Sequence, residues 1–322
     1  MTHSQVAAPR RGTARHHWMD LLRGVAVLLV ALWHVLTVPE LFGAQAPTWL
    51  RSALTGLGPY RIPLLLFLSG LLLPSSLRKG WARYASGKLR LLVWPFVVWT
   101  LIMAVIWPDL PRLLTPEAWW RGSYHLWFLT VLAWCYLAAP LTKVVPAWIW
   151  PVPLVLLSAV APNMGLARLC WFGAFFFAGA AVVRVLPWWQ RQAGALPSVL
   201  GLTAVGYAVW AAFEPQVYQY RHLPSFAVSL CGVAALLWFA PRMPRLRGLE
   251  WVGRHSIVIY LAHFPAIALT CQAAAALGLT RWWTVSPFLL LAGVVAPLVM
   301  VRWADTWLFR APKLHPSRAT TR

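Results

Sequence analysis

The stretch that decides the fold is Trp18-Met19-Asp20-Leu21-Leu22-Arg23-Gly24-Val25-Ala26-Val27-Leu28-Leu29-Val30-Ala31-Leu32-Trp33-His34. It is apolar enough to cross a bilayer, yet it carries a carboxylate, a guanidinium and an imidazole. Such a run near the N-terminus could be a cleaved leader, but it has no clean small-residue cleavage site and contains Arg23 and His34. We therefore expect it to persist as the first transmembrane helix. At about 100° and 1.5 Å per residue, Arg23 and His34 lie three turns plus about 20° apart, on one face and separated by about 16 Å along the axis. A charge at mid-membrane costs at least about 2.5–3.5 kcal/mol, so each such group calls for a cause. Arg23 could snorkel to the headgroups and His34 could be an internally hydrogen-bonded histidine. Their shared face favours a polar passage, with His34 as a general base near neutral pH.

The rest of the chain extends this reading. Of 322 residues, 60% are hydrophobic and 11% charged, with a mean hydropathy of +0.65. Soluble domains average about 45–50% apolar and about 25% charged, so neither a soluble nor a disordered chain fits. Ten apolar stretches of roughly spanning length occur at about 19–38, 61–77, 91–107, 125–141, 146–161, 167–186, 197–213, 223–240, 255–277 and 283–304. The fifth is the weakest, being short and carrying Pro151 and Pro153. The expected class is an all-α polytopic membrane protein. A transmembrane domain over 19–304 would lie between cytoplasmic tails at 1–18 and 305–322.

A formal net charge of +21 would suggest nucleic acid in a soluble chain, but here the basic residues are segregated by loop. One set of loops, with both termini, holds 19 of the 28 Lys and Arg residues, and the opposite set holds 6. The positive-inside rule then places both termini in the cytoplasm, which requires an even number of spans. Cys135, Cys170, Cys231 and Cys271 fall singly in or beside apolar runs, so neither metal-ligand nor disulfide spacing is present.

Arg23 and His34, a basic residue, ten others and a histidine, resemble the first-helix signature of the acyltransferase-3 family of integral-membrane acyltransferases. Phe67-Leu68-Ser69-Gly70 is similar to that family's Phe-x-Ser-Gly segment and is followed by a basic stretch through Lys88 and Arg90 to Pro95. His125-Leu126-Trp127-Phe128 resembles a His-x-Trp-Phe segment found in the subgroup that includes the enterobacterial common antigen O-acetyltransferase. Gly253, Ser256, Tyr260 and His263 match a late Gly-x-x-Ser-x-x-x-Tyr-x-x-His helix. Some members carry two arginines three apart in the basic loop, whereas Lys88 and Arg90 are two apart.

The resemblance implies transfer of an acyl group, usually acetyl from acetyl-CoA, to a hydroxyl of a glycan, glycolipid or other glycosylated acceptor at the cell membrane. On that reading His34 is the base and Arg23 guides the donor's pantetheine arm. Arg78, Lys79, Arg83, Lys88 and Arg90 are offered to the donor's phosphates. Acyl-CoA is a substrate; no bound cofactor and no metal is expected. Asp20, one turn before Arg23, could pair with it or be a favourable helix-start acid. His125 and Trp127 are candidates for acceptor binding or capping, and Ser69 for the site or for close helix packing. Ser256, Tyr260 and His263 share a helix face and suit a buried polar seam. A transporter or flippase of a lipid-linked sugar is the competing class, although no internal repeat is visible in the sequence.

Overall fold

In a computed structural model, residues 16–107, 110–218 and 220–312 are described. Arg10, Arg11, Arg15, Lys313, Arg318 and Arg322, counted above among the cytoplasmic charges, lie outside them. Among the described residues the chain is helical with no strand. Nine helices among the described residues are long and apolar enough to cross a membrane: α1 (His17–Phe42), α2 (Thr48–Leu71), α3 (Trp81–Ile106), α4 (Tyr124–Lys143), α6 (Met164–Arg184), α7 (Ala195–Phe213), α8 (Leu223–Arg242), α9 (Ser256–Ala276) and α10 (Trp282–Trp303). This is a multi-pass, all-α membrane protein. In its bundle α6 and α9 are central, 67% buried over their spanning windows, while α7 and α10 are peripheral at 22%.

The tenth expected span differs. Over 146–161 only α5 (Pro151–Val160) is helical. Ten residues rise about 15 Å, half of a bilayer's hydrocarbon core. Pro151 and Pro153 are the reason: in the first turn their missing N–H groups cost nothing, whereas an upstream start would put Pro153 in the interior at about 3 kcal/mol. The segment still runs antiparallel along α6. Trp150 stacks on Phe177 at 5.2 Å, Leu154 faces Gly173, and Arg221 donates to the Ala161 carbonyl at 2.6 Å.

Two pairs of glycines set the closest helix approaches in the part of the bundle around Arg23. A Cβ built on Gly70 of α2 would meet the Phe176 carbonyl oxygen of α6 at 1.8 Å, and one on Gly179 would meet that of Phe67 at 2.1 Å. Likewise Gly24 of α1 would reach Leu249 O at 2.1 Å, and Gly253 would reach Asp20 O at 1.7 Å. Gly253 lies on a short helix, Arg247–Arg254, which is held to the start of α1 by buried Glu250. Arg245 donates to both Glu250 carboxylate oxygens at 2.7 Å, and His17 lies 4.0 Å from one of them. Hydrogen bonding from Arg245 holds the Glu250 carboxyl below its ordinary value. Gly253→Ala is expected to destabilise the protein by about 1–3 kcal/mol through overpacking. Gly248→Ala, on the same helix with nothing within 4 Å of the added carbon, is expected to be neutral or slightly stabilising. Thermal unfolding of both variants in detergent checks the contrast.

α3 and α10 each contain a π-helical turn, Leu89–Val93 and Leu291–Val295. Each precedes a proline, Pro95 or Pro297, whose missing N–H leaves a carbonyl one turn back unpaired, and a widened turn accommodates that gap. Beyond α10 the chain packs back onto α3. The Trp94 and Trp99 indoles donate to the Trp307 and Leu308 carbonyls at 2.6 and 2.8 Å, and Phe309 is buried. Cys135, Cys170 and Cys271 are buried and all four cysteines are free.

Candidate active site

A cavity of about 480 Å³ opens among α1, α2, α3, α4, the short helix and the start of α9. Among the described residues Arg23, Lys79, Arg83, Lys88, Arg254 and Arg310 line it, and no Asp or Glu does. Arg23 donates to the Leu68 carbonyl at 3.2 Å and lies 4.0 Å from Asp20, so the expected i, i+3 pair is present at long range. Lys88 places its ammonium 3.3 Å from the centre of the Tyr136 ring. Ser69, whose hydroxyl donates to the Leu65 carbonyl at 2.8 Å, also lines the cavity, as do Ser256 and Tyr260.

The structure divides the expected basic cluster. Lys79, Arg83 and Lys88 face the cavity. Arg78 is exposed and does not line it. Arg90 is turned away, donating from Nε and Nη2 to the Ala311 carbonyl at 3.1 and 3.0 Å. Arg254, His255 and Arg310 take their places. Arg254 and His255 adjoin Gly253, whose tight contact with Asp20 brings them beside Arg23. Arg310, paired with Asp305, arrives because the segment after α10 packs back.

Further along α1, three histidines meet. His34 Nδ1 lies 2.9 Å from the Val30 carbonyl oxygen and 3.1 Å from His263 Nε2. His263 Nδ1 lies 3.0 Å from the Ile259 carbonyl oxygen. A carbonyl only accepts, so two neutral rings take one assignment: each carries its proton on Nδ1. The His34 N–H is shared between Val30 O and the His263 Nε2 lone pair, leaving His34 Nε2 unprotonated. His125 Nε2 lies 3.2 Å from the Leu261 carbonyl oxygen, so its proton sits there. His125 Nδ1, the bare nitrogen, is buried without a partner. The His34 and His125 rings lie 5.0 and 5.4 Å from that of His263.

Local structure delivers these rings. Tyr124 takes a left-handed φ of 50° immediately before His125, a strain of about 1–2 kcal/mol for a side-chain-bearing residue. His125 stacks on Phe264 at 4.8 Å, and the Tyr260 hydroxyl donates to the His125 carbonyl. Ser256 and Tyr260 face the cavity, while His263, on the same face of α9, is buried. Trp127 carries the Arg168 guanidinium, 4.6 Å from its ring centre.

Arg23 lines the cavity and His34 does not; toward the histidines the cavity is bounded by Val27, Phe128 and Tyr260. Tyr260 joins the two regions: it lines the cavity, and its ring lies 5.6 and 6.0 Å from those of His125 and His263. Among the described residues no three His, Cys, Asp or Glu side chains are arranged to hold a metal ion.

A multi-pass helical bundle with a cationic cavity on one part of α1 and an imidazole cluster on another fits a membrane group-transfer enzyme. Residues 16–302 match the acyltransferase-3 family profile, described as an acyltransferase domain, and the chain belongs to that family of membrane acyltransferases. No curated protein and no solved structure matches the chain.

Proposed function

We propose that this protein is an O-acyltransferase of the cell membrane, moving an acyl group, acetyl foremost, from acyl-CoA to a hydroxyl of a glycan, glycolipid or other glycosylated acceptor. The acceptor class follows the subgroup resemblance of the His125 segment. Both termini and the cationic cavity are assigned to the cytoplasm on the Lys and Arg bias of the loops; α5, short as it is, runs antiparallel along α6 and returns the chain beside it, which keeps the number of passes even. The observation that carries this reading is the polarity of one face of α1. Arg23 stands in a cavity lined by six cations and no carboxylate, and His34 beyond it presents an imidazole nitrogen left bare by its neighbours' hydrogen bonds.

CoA phosphates suit Lys79, Arg83 and Arg254, and the pantetheine arm passes Arg23 and the layer of Val27, Phe128 and Tyr260. A sugar hydroxyl is a poor nucleophile at neutral pH. His34 Nε2 takes its proton as the oxygen attacks the thioester carbon. The C–S bond breaks, and the leaving thiolate recovers the proton from the imidazolium. His263 Nε2 accepts the Nδ1 hydrogen of that imidazolium, so a neutral partner steadies the developing charge.

The test is acetyl transfer by purified protein from two donors, acetyl-CoA and the phosphate-free thioester S-acetyl-N-acetylcysteamine. Lys79→Gln, Arg83→Gln and Arg254→Gln are each expected to raise the KM for acetyl-CoA about 3–10-fold by weakening a charge-assisted contact. The KM for the small thioester is expected to stay unchanged. An unchanged acetyl-CoA KM in the triple variant would remove the donor from this cavity.

A further inference from the structure

The histidines have cationic neighbours on their other side, and nothing described so far uses them. Arg61 of α2 holds its guanidinium 4.4 Å from the ring centre of Trp33, the residue before His34, and donates to the Leu54 carbonyl at 3.0 Å. Arg168 of α6 holds its guanidinium 4.6 Å from Trp127, two residues past His125, and 5.7 Å from Tyr220. Tyr218 and Tyr220 link the two arginines: Tyr218 shares the space over Gly58 with Arg61 Nη2, and its ring is 6.0 Å from that of Tyr220, over which Arg168 lies.

Among the described residues neither arginine has a carboxylate within ion-pair distance, and Arg168 Nε is buried with no hydrogen-bond partner. Glu40, six residues past His34, is paired with Arg51 at 2.7 Å. Each guanidinium offers five N–H donors, of which Arg61 uses one and Arg168 none in a hydrogen bond given by the described residues. Stacking on aromatic faces returns about 0.5–2 kcal/mol per cation. For Arg61, midway along α2, that is less than the about 2.5–3.5 kcal/mol a cation costs at mid-membrane. Arg168, five residues into α6, keeps its guanidinium over Trp127 with Nε buried and unpaired, so the donors it holds there are not all met by water. An anion between the two guanidiniums supplies both missing charge and missing acceptors.

We propose that Arg61 and Arg168 form the anion-binding half of the acceptor site, so that the acyl acceptor carries a phosphate or a carboxylate. This rests on the acyltransferase reading above. With the anion on the two arginines, the rings of Trp33, Trp127 and Tyr220 form a platform for a sugar, and the acceptor hydroxyl faces His34 Nε2.

The experiment is ligand-observed saturation-transfer NMR on the full-length protein in phosphatidylcholine nanodiscs, with glucose 1-phosphate, glucuronate and glucose as probes. At least one charged sugar is expected to bind about tenfold or more tightly than glucose, as charged hydrogen bonds allow. The stronger of the two identifies phosphate or carboxylate. Arg168→Gln is expected to lose about tenfold of that preference and Arg168→Lys to retain part of it; Arg61→Lys serves where Arg61→Gln does not fold. Equal binding of all three sugars, no binding of either charged one, or a preference unchanged in Arg168→Gln overturns the proposal. Loss of the preference in phosphatidylglycerol discs also overturns it, because the occupant is then a lipid headgroup. His34→Gln separates the two readings. Binding kept with acetyl transfer lost supports both. Binding kept with transfer also kept leaves the anion site standing and removes His34 as the base.

Discussion

His34→Gln is expected to lower kcat for acetyl transfer by about 10²–10⁴-fold, the usual worth of a positioned general base, with the KM for acetyl-CoA unchanged. The split follows from where the side chains lie. The cationic cavity that would hold the donor contains Arg23 but not His34, so the substitution leaves donor contacts intact. Glutamine keeps much of the volume and can still donate toward Val30 or His263, yet it has no nitrogen lone pair able to take a hydroxyl proton. Single-turnover measurement of acetyl transfer, with acetyl-CoA binding measured separately, distinguishes a lost base from a lost site. A variant that transfers acetyl at the wild-type rate would exclude His34 from the chemistry. Equal weakening of donor binding and rate would instead make it a structural histidine of the bundle.

Much of the architecture was legible because membrane constraints are severe. Runs of apolar residues report spans through the requirement for internal backbone hydrogen bonding, and nine of the ten expected stretches are long helices among the described residues. The exception, 146–161, carried its own warning in Pro151 and Pro153, since prolines two apart tolerate a helix only downstream of themselves. The site was legible where local periodicity sufficed. Arg23, Ser69, Ser256 and Tyr260 line one cavity as helix phase within each segment allows.

What depends on register between helices was not legible. Nothing in the spacing of Arg78, Lys79, Arg83, Lys88 and Arg90 says that Arg90 turns to the Ala311 carbonyl. Nor does it say that Arg254 enters the cavity because Gly253 meets α1 with no side chain between them. The glycines themselves were the available signal, since a Gly in an apolar or amphipathic helix implies a partner at close range. The contact between His34 and His263, 229 positions apart in the chain, had no local signature.

That contact carries the second large effect. His263→Leu is expected to lower kcat by about 10–100-fold, and His263→Gln to recover much of the loss. The reasoning starts from protons. Because His263 Nδ1 faces the Ile259 carbonyl, its Nε2 can only accept, and it accepts from His34 Nδ1. In the ground state this is a shared neutral hydrogen bond. Once His34 takes the hydroxyl proton, the same N–H belongs to an imidazolium, and hydrogen bonds to charged groups are worth about 1.5–3 kcal/mol against about 1 for neutral ones. The interaction therefore strengthens toward the transition state, which is what lets a residue remote from the substrate change kcat without changing KM.

Leucine removes the acceptor; the glutamine side-chain oxygen can replace it at similar reach. A packing role alone would give the opposite order, because leucine suits a fully buried site better than an amide does. Nitrogen-15 NMR of histidine-labelled protein reads the cause directly. The wild type should show His34 protonated on Nδ1 and bare on Nε2, with that assignment weakened in His263→Leu. Finding His34 Nε2 protonated in the wild type at neutral pH would remove both the base and the residue that positions it.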